Sequence, residues 1–321
     1  MLSKEFPSVS DIEEAYQRIK DMVHRTPVLT SQSINKIAGA NLFFKCENFQ
    51  KVGAFKFRGA SNAVTMLSSE AAKNGVATHS SGNHAAALAL AARNKGIPAY
   101  IVMPENAPVI KKKAVEGYGG IITFCKSTQQ DREETLAKIQ QKTGAAFIHP
   151  YNNFDVICGQ GTVALELMQD VESLDCVMTP VGGGGLLSGV STYVKGRFPK
   201  VRVFGAEPAM ADDAFRSLRD GKLYPSVNPK TIADGLLTSL CPLTMGILSK
   251  NCDGILTATE ENIVKAMRMI WERMKIIVEP SSAVPLAVVI EHPEKFQGKK
   301  VGLVISGGNV DLNKLPWLAK E

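Results

Sequence analysis

Lys56 stands in Lys51-Val-Gly-Ala-Phe-Lys56-Phe-Arg58-Gly59-Ala60, between two phenylalanines. Apolar neighbours hold an amine partly out of water, which disfavours the ammonium form and leaves a nitrogen able to attack a carbonyl and form a Schiff base. The same setting suits a surface lysine that lays its methylenes on apolar neighbours, so Lys56 gains meaning only beside other motifs. Gly182-Gly183-Gly184-Gly185-Leu186-Leu187-Ser188-Gly189 follows an apolar run and opens a helical one. Residues without side chains let backbone amides close on a phosphate, the alternative being a flexible turn. The loop lacks the Gly-Lys-Ser/Thr of a Walker loop, and it does not stand near the start of a Rossmann unit where a dinucleotide fingerprint belongs.

Ser80-Ser81-Gly82-Asn83-His84 joins a strand pattern to a helix pattern. Its amides and side-chain oxygens gather at a helix N-terminus, where a substrate carboxylate is welcome, although two serines and an asparagine also serve as plain helix caps. Ser306-Gly307-Gly308-Asn309 ends the last apolar strand, either as a hydroxyl that hydrogen-bonds a ring nitrogen or as another glycine turn. Glu207-Pro-Ala-Met-Ala211-Asp212-Asp213 offers two carboxylates and a carbonyl, oxygen ligands suited to magnesium, manganese or calcium. Carboxylates at such a place also cap helices or face water. His79 and His84 flank the serine loop, and packing or hydrogen bonding is the role expected of them.

The elements that must position these groups follow one grammar. Short apolar runs alternate with helix-length segments, the pattern of parallel strands joined by crossover helices. Residues 75–104 read as one βαβ unit, with strands at 76–79 and 99–103 around an alanine-rich helix at 84–94 that Gly96 caps. Further strands are expected at 120–124, 145–148, 176–181, 201–206 and 301–305, and the chemistry-bearing loops fall at their C-terminal ends, where open parallel sheets bind ligands. Thr259 is a helix N-cap, and Ile263, Met267, Ile270, Trp271 and Met274 form one apolar stripe, read as core. No repeat or low-complexity linker divides the chain, so a second lobe is expected to be an inserted section of sheet.

The 321 residues, 45% hydrophobic and 21% charged, fit two compact lobes or one large α/β domain. A net charge of +6 favours anionic ligands mildly, but the basic residues are scattered, which argues against nucleic acid. Lys111-Lys112-Lys113 reads as a solvated helix face. The six cysteines show no Cys-x-x-Cys pair and read as reduced, mostly buried thiols. The first seven residues lack an apolar signal core, and Asp11, Glu13 and Glu14 argue against a transit peptide, so a cytoplasmic location is expected. Residues 176–194, uncharged and nearly membrane-spanning in length, contain Pro180 and four glycines and read as strand, loop and helix.

Taken in order, Phe-Lys56-Phe-Arg-Gly, Ser80-Ser-Gly-Asn-His84, the tetraglycine loop, Thr231-Ile-Ala-Asp-Gly235, Glu279-Pro280 and Ser306-Gly-Gly-Asn309 resemble the serine racemase and serine/threonine dehydratase family of fold-type II pyridoxal phosphate enzymes, over nearly the whole chain. The sequence stops at residue 321 without the regulatory domain of biosynthetic threonine deaminases, which reads as a short form. The resemblance implies an α/β fold, tryptophan synthase β-like, of two open, mainly parallel sheets with helices on both faces. Residues 1–77 with 154–321 would form a large cofactor-binding domain and residues 78–153 a small mobile one. Lys56 would hold pyridoxal 5'-phosphate as a Schiff base and then act as acid and base at Cα. Asn83 would meet the cofactor's phenolic oxygen, Gly182, Gly183, Gly184, Gly185 and Leu186 its phosphate, and Ser306 its pyridine nitrogen, with Phe55 and Gly235 along its plane. A serine partner leaves that nitrogen largely neutral, which favours expulsion of a β-hydroxyl.

The same resemblance makes Ser81 the proton donor or acceptor on the face opposite Lys56, a role racemisation requires. Many catabolic threonine dehydratases resemble this loop but carry alanine there, whereas some 3-hydroxyaspartate enzymes also resemble Ser-Ser-Gly-Asn-His. Ser80, Ser81, Asn83, His84 and Tyr151 would bind substrate. His149-Pro150-Tyr151-Asn152 departs from the His-Pro-Asn of mammalian racemases, which bears on substrate range. Glu207, the Ala211 carbonyl and Asp213 match the family's site for Mg2+, Mn2+ or Ca2+. Glu13, Ser31, Gln32, Lys51, Val52 and Tyr118 fall where eukaryotic racemases bind ATP between subunits, with Gln32 and Val52 departing from the mammalian pattern. The expectation is a homodimeric serine racemase that also eliminates serine to pyruvate and ammonia. The alternatives are a dehydratase for threonine or 3-hydroxyaspartate, and a non-catalytic amino-acid or nucleotide binder on the same fold.

Overall fold

The computed structural model describes residues 6–107 and 109–318. The signal-peptide reading falls in part on residues 1–5, which lie outside the described residues. Among the described residues ten strands are formed: β1 (Val28–Leu29), β2 (Asn41–Cys46), β3 (Val76–His79), β4 (Ala99–Pro104), β5 (Gly120–Cys125), β6 (Ala146–Phe147), β7 (Cys176–Pro180), β8 (Arg202–Pro208), β9 (Gly254–Ala258) and β10 (Lys300–Ile305). They make a six-stranded sheet in the order β1-β2-β10-β7-β8-β9, parallel except for β1, and a parallel four-stranded sheet in the order β5-β4-β3-β6.

The larger sheet is covered on both faces, and alternating side chains show it. Met178, Phe204 and Leu303 enter an apolar cluster with the helices Glu260–Met274 and Pro280–Glu291, whereas Val177, Val203 and Val304 enter another with Phe154–Asp170 and Gly185–Arg197. Successive residues of a strand face opposite ways, so a strand buried on both sides reads as a continuous apolar run, which is why β7 was legible from composition. The stretch 176–194 is the expected strand, loop and helix. No helix among the described residues is long and apolar enough to cross a membrane. All six cysteines are free, and four of them are buried.

Local expectations are met closely. The alanine-rich helix runs Asn83–Lys95 and ends on Gly96 at φ 73°. Thr259 caps Glu260–Met274, accepting from the Asn262 amide at 3.4 Å. Of the expected stripe, Ile263, Met267 and Ile270 are fully buried, while Trp271 and Met274 pack at the edge of the core. The strand expected at 145–148 pairs only over Ala146–Phe147. The solvated-face reading of Lys111-Lys112-Lys113 needs correction. Lys111 Nζ pairs with Asp234 at 2.5 Å and Lys112 Nζ donates to the Glu105 carbonyl, so only Lys113 is left on an open face.

The helix Lys56–Met66 packs between the helices Asn83–Lys95 and Phe154–Asp170 and so belongs to the structure around both sheets. Its crossing with Phe154–Asp170 is close: a Cβ on Gly159 would lie 2.6 Å from the Gly59 Cα. Beneath it, fully buried Arg58 pairs with Glu47 and Glu166, each at 2.7 Å, and buried Lys45 pairs with Glu166 at 2.8 Å. Removing one member of such a network strands a charge away from water, so the network fixes the helix that begins at Lys56.

Candidate active site

Chain ends of three parallel strands converge. The Ser80–Asn83 loop follows β3, the glycine loop follows β7 and Ser306 follows β10, which places them around one cavity of about 360 Å³. Every cofactor- and substrate-contacting residue expected from the sequence lines it: Phe55 and Lys56, Ser80, Ser81, Asn83 and His84, Tyr151, Gly182 to Leu186, Gly235 and Ser306.

Lys56 is the first residue of its helix, and its Nζ donates to the Pro150 carbonyl at 3.0 Å. Burial lowers its pKa to about 8, with the Glu279 carboxylate opposing the shift. A group this close to neutrality is part amine at physiological pH. Phe55 supplies the apolar wall, its ring centre 5.1 Å from Nζ. Phe57 does not: successive helix residues point about 100° apart, and Phe57 is fully buried in the core beside Ala60 and Leu88.

The amides of Gly182, Gly183 and Gly184 have no hydrogen-bond partner among the described residues, and the helix Gly185–Arg197 adds its unpaired first-turn N–H groups. Gly184 adopts φ +85°, a conformation glycine reaches without strain, and a Cβ on Gly183 would lie 2.3 Å from the Tyr151 ring. The loop is a set of free donors at a positive helix end, which is what a phosphate monoester requires. Ser306 Oγ lies 3.0 Å from Ser282 Oγ. Ser282 gives its proton to the Gly307 carbonyl at 2.6 Å, so Ser306 is the donor in the contact between the two hydroxyls, and its proton would have to turn from Ser282 to meet a ring nitrogen. The residues present fit a phosphorylated aldehyde cofactor carrying a ring nitrogen.

The other wall is richer in donors than expected. Arg132 and Gln129, from the helix Gln129–Thr143, line the cavity with His79 and His149, and the Arg132 Nε is buried without a partner among the described residues. His149 Nδ1 accepts from the Asn152 amide at 2.9 Å, which places the imidazole proton on Nε2, and burial beside His79 and Lys56 pushes its pKa down to about 4. His84 is buried, its Nε2 donating to the Ile148 carbonyl at 2.9 Å and its pKa pushed down to about 3, as a packing and hydrogen-bonding residue should be. The Ser81 hydroxyl is half-buried on this wall and has no partner among the described residues. Lys111, Asp234, Glu279 and Asn309 complete the lining. Arg132 lies in Asp131-Arg132-Glu133-Glu134, which reads as an ordinary solvated helix face, and only the fold turns it inward. Glu279 was visible in its motif, without a task.

Away from the cavity, Glu207 is buried and accepts from the amides of Ala214 and Phe215 at 3.0 and 2.7 Å. Buried Asp213 has both carboxylate oxygens unpartnered, although Ser226 lies near enough to favour its charged form. Burial raises Glu207 to about 9 and Asp213 to about 6. Orphaned carboxylate oxygens beside a second buried carboxylate fit a hard cation that takes further oxygens from a carbonyl and water. The described residues hold no group of three or more His, Cys, Asp or Glu side chains placed to ligate one ion, so a cation here would lean on the carbonyl and water. The six residues expected around a nucleotide are not gathered in one chain: Val52 and Tyr118 line a second cavity of about 380 Å³, whereas Glu13 is paired with Arg197 and Ser31 caps the helix Gln32–Ala38.

A desolvated amine, free glycine amides and a buried hydroxyl at the rim of parallel strands fit a Schiff-base enzyme that uses a phosphorylated cofactor. The chain belongs to the pyridoxal-phosphate dependent enzyme family, whose model matches residues 19–307. It is 51% identical over 311 residues to the beta-hydroxyaspartate dehydratase of Paracoccus denitrificans, covering 97% of this chain and 99% of that one. It is 50% identical over 312 residues to the serine racemase of Dictyostelium discoideum, covering 96% of each. The structure of maize serine racemase superposes with a TM-score of 0.94 at 46% identity, covering 95% of this chain and 94% of that one. The fold is the fold-type II arrangement that the sequence motifs implied.

Proposed function

We propose that the chain interconverts L- and D-serine and also eliminates serine to pyruvate and ammonia. The observation that carries the reading is one cavity holding both a desolvated Lys56 and an unpartnered Ser81 hydroxyl. Pyridoxal phosphate, when bound, supplies the electron sink that makes the α-proton removable. Lys56 holds it and moves a proton at Cα from one side, Ser81 moves a proton from the other, and Ser80 with the first turn of Asn83–Lys95 binds the substrate carboxylate. Asn83 meets the ring oxygen, Gly182 to Leu186 the phosphate and Ser306 the ring nitrogen, with Phe55 and Gly235 flanking the ring and Tyr151 and His84 bounding the substrate space. Closure of residues 78–153 over the remainder excludes water. Incubation with L-serine, followed by chiral chromatography and an oxo-acid assay, tests the reading: D-serine with pyruvate supports it, and neither product refutes it.

Arg132 favours a second reading, a dehydratase for 3-hydroxyaspartate. A buried guanidinium nitrogen without a partner is suited to a second carboxylate, which serine lacks. Arg132→Gln is expected to raise KM for 3-hydroxyaspartate by roughly 10- to 100-fold while moving that for serine far less. A substrate panel on the two proteins measures it, and equal changes for both substrates remove Arg132 from this role.

Glu207, the Ala211 carbonyl and Asp213 hold a divalent cation, magnesium in the first instance, in this reading. Without it, both carboxyls are raised in the fold above their unfolded values, so the site destabilises the protein as pH rises from the ordinary carboxylate range through about 6 and about 9. Mg2+ is therefore expected to raise Tm, and by more at pH 8 than at pH 5, because the ligands must be deprotonated to bind it. Thermal melts with and without EDTA at the two pH values check this, and a Tm indifferent to the ion refutes the site. The full proposal is a cytoplasmic homodimer with ATP, as activator, between subunits near Glu13, Ser31, Gln32, Lys51, Val52 and Tyr118.

A further inference from the structure

Asn83 is held by side chains to which the proposed chemistry gives no task. Its Nδ2 lies 3.0 and 3.1 Å from the two oxygens of Glu279, so that one N–H shared between them leaves the other for a ligand, and its Oδ1 accepts from Asn309 Nδ2 at 2.9 Å. Asn309 uses its second amide proton on the Val52 carbonyl at 2.7 Å, and its backbone N–H donates to Glu279 at 3.2 Å. Glu279 is only 4% exposed. An ionised carboxylate accepts and never donates, so Glu279 dictates which way round the Asn83 amide lies, nitrogen toward itself and oxygen toward Asn309. The far end of the chain of bonds is also constrained. Val52 holds φ 57°, a left-handed conformation costly for a β-branched residue, and its loop ends three residues before Lys56. The Gly308 amide donates to Gly53 in the same loop at 2.9 Å, and the Phe55 amide donates to the Ser306 carbonyl at 3.0 Å.

We infer that Glu279 and Asn309 are positioning residues that fix the Asn83 amide and tie it to the strained loop ahead of Lys56, so that a cofactor on Lys56 meets an N–H at its ring oxygen. This rests on the reading that Asn83 faces the cofactor. The two residues come from separate loops of the large-sheet region, and Asn83 heads a helix beside the small sheet, so the relay also joins the two. Glutamine at 279 keeps the shape but offers one acceptor where three donor contacts now converge, and it sets an NH2 against an N–H.

The test compares wild type, Glu279→Gln, Asn309→Ala, Asn83→Ala and the Asn83→Ala/Glu279→Gln double variant. Asn309 is exposed, so its truncation leaves the core untouched. Measurements are made one or two units above the value of about 7 to which burial pushes the Glu279 carboxyl, where it is ionised. The readouts are pyridoxal phosphate affinity by titration of apoenzyme, the ratio of long- to short-wavelength absorption bands of the bound cofactor, and Tm. Glu279→Gln and Asn309→Ala are each expected to weaken cofactor binding roughly 3- to 10-fold and to shift the band ratio. In the Asn83→Ala background Glu279→Gln adds nothing further. Variants that lower Tm but leave affinity and spectrum as in wild type overturn the inference, as does an equal effect of Glu279→Gln in both backgrounds. Wild type that takes up no cofactor, or that borohydride fixes at a lysine other than Lys56, overturns the reading beneath it as well.

Discussion

Lys56→Ala folds, holds no cofactor that borohydride can fix, and loses both racemisation and elimination by at least roughly 10³-fold. The loss is double because one nitrogen serves as the covalent anchor and as a proton carrier at Cα. Folding is expected to survive for a reason visible in the electrostatics. Burial lowers Lys56 to about 8, so the fold disfavours its ammonium form, and that penalty is full below about pH 8 and fades as pH rises past it. Removing the amine therefore keeps or raises Tm at neutral pH, which is common where a site is strained for function. Mass spectrometry after borohydride treatment, product assays and thermal melts check the three parts. A Lys56→Ala protein that still turns over serine would show that another group does the chemistry.

Ser81→Ala loses racemisation by roughly 10²–10⁴-fold and keeps elimination from L-serine within about tenfold. Racemisation needs a proton carrier on each side of Cα, whereas elimination from one enantiomer needs only the Lys56 side. The hydroxyl of Ser81 has no partner among the described residues, so the substitution breaks no hydrogen bond of the fold. Chiral chromatography against oxo-acid formation separates the two rates, and a parallel fall in both would make Ser81 a substrate-binding residue only.

What could be read from the chain and what could not divide along physical lines. β7 and β10 are buried on both faces, so they appear as unbroken apolar runs, and the loops beyond them carry glycine and serine because ligands sit at that rim. Gly182 to Leu186 and Ser306 were legible for that reason, whereas the role of Ser81, beyond β3, came only through the resemblance. Arg132 and Lys111 were not, because a charged residue on a helix looks the same whether it faces water or a cleft. Lys111 finds Asp234 across 123 residues of chain, a pairing that no local pattern encodes. Phe57 misled because adjacency in sequence is not adjacency in a helix: it points into the core while Phe55 faces the amine. Glu279 lay within a motif, but its role depends on Asn83 and Asn309, which reach it from two other segments.

Proton NMR of the cofactor-loaded enzyme with L-serine in D2O reports on both sides of Cα at once, because each proton carrier that exchanges with solvent leaves deuterium there. Two-sided proton transfer is expected to give D-serine carrying deuterium at Cα, formed alongside pyruvate. Pyruvate without any D-serine would contradict it and make the enzyme a one-sided dehydratase.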